Sequence, residues 1–313
     1  MSAVLPALPR GAVVTVGAFD GLHLGHRAVL DLVVERASAG GRAAVLVSFE
    51  PHPAAVVRPG GAPPRLTTGM ERQEVLAQAG LDYALFLRFD REMASWSPER
   101  FVREVLLERC HCRELVIGPD HAFGRDRQGS ESTLRRLGAE AGFSVDVVRP
   151  VEVDGGPVSS TRIRRLVQQG RLDEAARCLG RPYSVSGVVV HGAGRGQALG
   201  VPTANLAVPE GKQLPPDGVY AVRVEWGGGV AGGMLNQGGR PTFGDGGRLL
   251  EAHLFGLDAD LYGRTLRVTW VARLRDGQRF DSVEALRAQL GRDRQDALAA
   301  LAAAPAAQGH NRV

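Results

Sequence analysis

At 313 residues the chain is long enough for two domains of ordinary size, and its 44% apolar and 23% charged residues are those of a globular protein. No apolar run approaches a membrane span or a signal peptide, so a cytoplasmic location without membrane partners is expected. The net charge of +4 favours anionic partners, but basic residues are scattered and aromatics reach only 5%. Small phosphorylated ligands are therefore expected rather than nucleic acid, and Lys212, the only lysine, stands in no GxxxxGK[ST] run, which excludes a P-loop kinase.

The first predicted element is a buried strand over Val13–Val16, an uninterrupted apolar run that ends in Gly17. Helix His26–Ala39 follows, then strand Ala44–Phe49, helix Thr68–Ala79, strand Tyr83–Leu87, helix Pro98–Arg109, strand Leu115–Gly118, helix Glu131–Ala141 and strand Val145–Val148. This alternation predicts a parallel sheet covered by helices, with ligands beyond the carboxyl ends of its strands. Cys110-His111-Cys112 falls where a helix hands over to a strand. Without a fourth partner at zinc spacing it reads as packing. Two short helices, Ser160–Gln168 and Leu172–Leu179, precede a break at Gly180-Arg181-Pro182. The chain then turns β-rich, with strands over Tyr183–His191, Gly218–Glu225, Val230–Leu235, Leu249–Phe255 and Thr265–Ala272, and glycine-rich turns between them. An antiparallel barrel closed by helix Val283–Leu301 is predicted. The domain boundary falls near 181–184, giving domains 1–182 and 183–313.

The first strand and helix are joined by Gly17-Ala18-Phe19-Asp20-Gly21-Leu22-His23-Leu24-Gly25-His26. Gly17 and Gly21 permit a tight turn close to a ligand. A helix starting near Leu22 would put His23 and His26 on one side of its first turn, where free N–H groups and the helix dipole make an anion site. These residues resemble the HxGH nucleotidyltransferases. Three further elements lie near strand ends: Phe49-Glu50-Pro51-His52-Pro53, the Gly118-Pro119-Asp120-His121 loop, and Ser159-Ser160-Thr161-Arg162-Ile163-Arg164. Together they resemble the FMN adenylyltransferase domain of prokaryotic bifunctional riboflavin kinase/FAD synthetases over about residues 10–180. The resemblance implies a Rossmann-like fold and an ATP and FMN site that takes in Gly17, Phe19 and Asp20. His23, His26 and His52 would surround the ATP phosphates, with His23 and His26 catalytic. Asp120 would lie near the reacting groups, and Ser160, Thr161 and Arg164 would hold the nucleotide from the far side. Arg162 and Arg164 point to different sides of a helix, so one of them is expected at the nucleotide. His121 departs from the family, which more often has Phe there.

In the second half, Gly192, Gly194, Arg195, Gly196 and Gly200 lie on a loop able to wrap backbone N–H groups around phosphates. The loop runs into Pro202-Thr203-Ala204-Asn205, where Thr203 and Asn205 offer neutral oxygens suited to Mg²⁺. With Asn236 and Arg240 of NxGxRPTF and with Glu251 of ExHLF, this stretch resembles the riboflavin kinase domain from about residue 183 to 301. By that resemblance these residues bind ATP and flavin, and Glu251 is the base that takes the proton of the ribityl 5′-hydroxyl, strengthened in a water-poor site. The two resemblances imply an enzyme that phosphorylates riboflavin to FMN and adenylylates FMN to FAD, using ATP and Mg²⁺. Two rival readings are a nucleotidyltransferase for another phosphorylated acceptor and a flavin-binding regulatory protein that has lost kinase activity. The oligomeric state is not legible.

Overall fold

The computed structural model describes residues 5–58, 60–119, 129–192, 201–238, 249–257 and 259–304. The chain divides into two compact units, Met1–Ile163 with Cys178–Gly180, and Arg164–Arg177 with Arg181–Val313.

The first unit is built on β1 (Ala12–Val16), whose five residues, Thr15 included, are all buried, as in a strand covered on both faces of its sheet. After α1 (Leu24–Gly40) come β2 (Ala43–Glu50), α2 (Pro53–Val57), α3 (Gly69–Ala77), β3 (Tyr83–Arg88), α4 (Arg91–Ala94), α5 (Pro98–Phe101), β4 (Cys112–Ile117), α6 (Glu131–Ala141) and β5 (Ser144–Val147). The sheet order is β3-β2-β1-β4-β5, every pair is parallel, and β1 is central. This is the expected parallel sheet. Helix α1 buries Val29, Leu30, Val33 and Ala37 along one stripe and ends where Gly41, at φ 58°, donates its N–H to the Ala37 carbonyl. The predicted helix Pro98–Arg109 is wound differently: α5 gives way to a π-helical stretch over Val102–Leu107. There Glu108 donates to Arg103 and Cys110 to Val105, and the wider winding keeps Phe101, Val102, Val105, Leu106 and Cys110 all in the core. Burial pushes the Cys110 thiol up to about 12 and that of Cys112 higher still. Both cysteines therefore stay neutral and serve as core residues.

A short hairpin, β6 (Glu152–Val153) and β7 (Gly156–Pro157), leads into α7 (Ser160–Gln168) and α8 (Leu172–Leu179). In the second unit, β8 (Ser184–Val190), β9 (Ala204–Ala207), β10 (Gly218–Trp226), β11 (Gly229–Gln237), β12 (Leu249–Leu254) and β13 (Thr265–Arg275) close an antiparallel barrel in the order β10-β11-β12-β9-β8-β13. The expected barrel is present, with one more strand than the sequence pattern suggests. β9 is that strand, a four-residue segment that bridges β12 and β8.

Helix α9 (Val283–Ala303) is capped by Ser282, whose side chain accepts from the Ala285 N–H, and it packs Ala297 with Ala221 and Met234. Its Asp293, 1% exposed, takes two hydrogen bonds from the Arg275 guanidinium at 2.8 and 2.7 Å and one from Gln289 at 2.8 Å. Residues 212–217 lie against the barrel. Tyr183 Oη donates to the Gln213 carbonyl at 2.6 Å, and Gln237 Nε2 donates to the Pro215 and Pro216 carbonyls at 2.6 and 3.2 Å. Lys212, 8% exposed, sits with its ammonium 4.7 Å from the centre of the Tyr183 ring.

Candidate active sites

In the first unit the residues from Gly17 to His26 form a turn at the carboxyl end of the central strand. Phe19 (φ 47°), Gly21 (φ 86°) and Leu22 (φ 39°) all have left-handed backbone, which for Phe and Leu is strained. A helix cannot begin at Leu22 in that conformation. It begins at Leu24, so His23 is not in the first turn, as the spacing suggests, but is the N-cap. His23 Nδ1 accepts from the His26 N–H at 3.2 Å, and the two rings stack with centroids 3.6 Å apart. A ring whose Nδ1 accepts carries its proton on Nε2. Gly25 lies close beside the stack, and a Cβ there would come within 3.2 Å of the His23 ring. The Phe19 ring lies 4.8 Å from that of His26.

The turn is pinned from several directions. The Asp20 carboxylate, 6% exposed, accepts from the backbone N–H groups of Leu66 and Thr67 at 3.0 Å each, and Gly21 N–H donates to Thr67 Oγ1 at 3.0 Å. Ser160 Oγ donates to the Asp20 carbonyl at 2.9 Å, while Ser48 Oγ donates to that of Gly17 at 2.6 Å. Asp20 and Ser160 thus shape the turn. Ser48, Thr67 and Arg72 carry no motif in the sequence and reach the turn from 31, 46 and 54 residues away.

His52 is also an N-cap, for α2, with its Nδ1 accepting from the Ala54 N–H at 3.1 Å. Ser159 Oγ caps α7 by accepting from the Arg162 N–H at 3.2 Å. The Arg162 guanidinium donates to the carbonyls of Val153 and Gly156 at 2.9 and 2.7 Å and so fastens the β6–β7 hairpin. Arg164, the other arginine of this motif, is half-buried, and Thr161 is exposed. Ser160 and Thr161 belong to the first unit and Arg164 is grouped with the second. Asp120 and His121 lie outside the described residues.

In the barrel, strand register alone assembles the candidate groups. Asn236 on β11 pairs with Glu251 on β12, and Glu251 pairs with Asn205 on β9. Directly opposed residues share a face, so Asn236, Glu251 and Asn205 form one rung, with Asn236 Nδ2 3.5 Å from Glu251 Oε2. Glu251 and Asn236 are exposed, so the carboxylate is not withdrawn into the water-poor setting expected for it, whereas Asn205 is 6% exposed. Gly192 leaves room for Asn205, because a Cβ there would fall 2.1 Å from its side-chain nitrogen. Pro202 is exposed, with its carbonyl 2.8 Å from His253 Nδ1, and Thr203 is half-buried. His253 belongs to the ExHLF motif, and sequence pattern assigns it no role. Gly194, Arg195, Gly196, Gly200 and Arg240 lie outside the described residues.

A parallel sheet with a histidine-capped strand-to-helix turn, followed by a six-stranded barrel with a carboxylate between two asparagines, makes this a two-unit transferase. Family models agree with that division: residues 5–162 match the model described as FAD synthetase, and 179–301 the one described as riboflavin kinase. The chain is 40% identical over 286 residues to the bifunctional riboflavin kinase/FMN adenylyltransferase of Pseudomonas fluorescens, covering 91% of each protein. It is 38% identical to that of Escherichia coli K12, covering 90% of each. A crystal structure described as a macrolide-efflux protein from Streptococcus pneumoniae superposes with a TM-score of 0.81 at 32% identity, covering 94% of this chain and 95% of the other. Among the described residues no helix is long and apolar enough to cross a membrane. The chain belongs to the bifunctional riboflavin kinase/FMN adenylyltransferase family, and it is an enzyme of flavin cofactor biosynthesis.

Proposed function

We propose that the two activities are divided between the units, adenylyl transfer in the parallel-sheet unit and riboflavin phosphorylation in the barrel. The stacked His23–His26 pair at the start of α1 is the observation that carries the first assignment. In that reaction an FMN phosphate oxygen attacks the α-phosphorus of ATP and pyrophosphate leaves. The nucleophile is already anionic, so the enzyme contributes position and stabilisation of charge rather than a strong base. His23 and His26 donate to the phosphates, with His52 beside them. Gly17 and Phe19 line the nucleotide and Asp20 sets the turn. Asp120, Thr161 and Arg164 contribute to the nucleotide site, with Ser160 acting through its bond to Asp20.

In the barrel, Glu251 accepts the 5′-hydroxyl proton of riboflavin as the oxygen attacks the γ-phosphorus of ATP and ADP leaves. Asn236 orients the Glu251 carboxylate. The backbone of Gly192, Gly194, Gly196 and Gly200 surrounds the phosphates, with Arg195, Pro202 and Arg240 completing the site. Thr203 and Asn205 fit Mg²⁺. Their neutral oxygens, next to a single carboxylate, leave most of the coordination sphere to phosphate and water. The ion, when bound, neutralises phosphate charge. We place the enzyme in the cytoplasm, acting on small molecules without a nucleic-acid or membrane partner.

The test is division of the chain into residues 1–182 and 183–313, each assayed with Mg²⁺–ATP by chromatography. The first is expected to convert FMN to FAD without phosphorylating riboflavin, and the second to do the reverse. Folded fragments that act only when mixed would defeat the assignment.

A further inference from the structure

The turn that carries His23 is unusual in how fully its carbonyls are held. Gly17 accepts from Ser48 Oγ, Ala18 from Arg72 at 2.6 Å, Phe19 from the Leu22 N–H at 3.4 Å and Asp20 from Ser160 Oγ. One of these donors is a charged side chain, and it is buried. Arg72 on α3 is 7% exposed, its guanidinium lies 5.0 Å from the centre of the Phe86 ring, and the same nitrogen that holds Ala18 also donates to Ser48 Oγ. Arg72 and Ser48 therefore form one unit with a grip on two successive carbonyls. A Glu50 oxygen 3.6 Å away supplies partial countercharge. Burial draws the guanidinium pKa below its ordinary value, and Glu50 pulls it back up.

Burying a guanidinium is costly, and here the buried charge, with Ser48, fixes the direction of two loop peptides. In a trans peptide the N–H points opposite to the C=O. Fixing the carbonyls of Gly17 and Ala18 toward Ser48 and Arg72 thus turns the N–H groups of Ala18 and Phe19 to the other side. Neither donates to an acceptor among the described residues. Two successive N–H groups held in one direction, just before a helix N-terminus, are suited to phosphate oxygens.

We propose that Arg72, acting with Ser48, is a positioning residue for adenylyl transfer, fixing the peptides ahead of His23 in the orientation that receives phosphate. This rests on the reading of the His23–His26 turn as the adenylyl-transfer site.

The test uses the full chain and compares FAD formation from FMN with FMN formation from riboflavin. Arg72→Met is expected to lower kcat for FAD formation by about 100-fold, the scale of a misplacement near 1 Å, with little change in KM for ATP. Riboflavin phosphorylation in the same molecules stays at its normal rate. Arg72→Lys, which keeps a buried donor, recovers most of the loss. Ser48→Ala lowers kcat by about tenfold, equivalent to one lost hydrogen bond of about 1.4 kcal/mol. The double variant Ser48→Ala/Arg72→Met is no worse than Arg72→Met alone, since the two act as one unit. Thermal unfolding checks that the first unit is intact; if Arg72→Met unfolds it, Ser48→Ala and Arg72→Lys carry the comparison. Wild-type kcat in Arg72→Met, or in Ser48→Ala where that variant carries the test, overturns the proposal, as do losses that simply multiply. His26→Ala separates the two ideas. If it abolishes FAD formation while the clamp variants do not, only the clamp is wrong; if it leaves FAD formation intact, the site reading itself fails.

Discussion

The two candidate sites are held by different physical means. In the parallel-sheet unit, a strained turn is pinned by side chains reaching it from 31, 46, 54 and 140 residues away along the chain. In the barrel, Asn236, Glu251 and Asn205 come into line through three neighbouring strands in register. On the proposed assignment, the first arrangement would make adenylyl transfer depend on residues that do not touch substrate, and the second would place that dependence on backbone pairing.

The largest expected effects come from breaking each site at its centre. His23→Ala removes the cap of α1 together with the group proposed to donate a hydrogen bond to phosphate, and is expected to lower FAD formation from FMN by about 1000-fold while FMN formation persists. Glu251→Gln keeps the shape of the side chain but cannot take the proton. It should lower riboflavin phosphorylation by about 100-fold or more with adenylylation of supplied FMN unchanged. Steady-state rates of both half-reactions in each variant decide this. Crossed effects, where either substitution slows both steps alike, would mean that the sites are not separate.

A smaller, purely structural effect sharpens the contrast. Asp293→Ala leaves Arg275 without its buried partner and is expected to destabilise the barrel and α9 by about 3 kcal/mol in denaturant unfolding. Riboflavin phosphorylation by the molecules that remain folded should be close to normal, because the register of β11, β12 and β9 does not depend on that pair. The mildest case is Ser130→Ala. Ser130 caps α6 by accepting from the Thr133 N–H at 3.4 Å, and its loss should cost about 1 kcal/mol with neither activity altered.

Much of the fold was legible because its signals are local. The apolar run of β1, the alternation of strand and helix, and the glycine turns of the second half each follow from short-range pattern. β9 was not legible as a strand. Ala204-Asn205-Leu206-Ala207 is short, carries a polar residue, and looks like the end of a loop motif until β8 and β12 are brought beside it. The π-helical winding after Phe101 was equally hidden, since it preserves the apolar pattern and changes only which carbonyl each N–H meets. At the sites, His23, His26 and Glu251 announce themselves by motif. What sets their geometry does not: Leu22 at φ 39°, Thr67 under Asp20 and Arg72 under Ala18 are facts of three-dimensional packing with no local signature.

Lys212 gives the molecule a native reporter. It is the only lysine, and it is covered where residues 212–217 lie along the barrel. An amine-directed reagent is expected to react faster with that side chain when the segment lifts away from Tyr183 and Gln237. The rate of Lys212 modification therefore measures the opening of one edge of the barrel, separately from global unfolding. Measured with and without riboflavin, it would show whether flavin binding is felt at that edge, with no substitution in the chain.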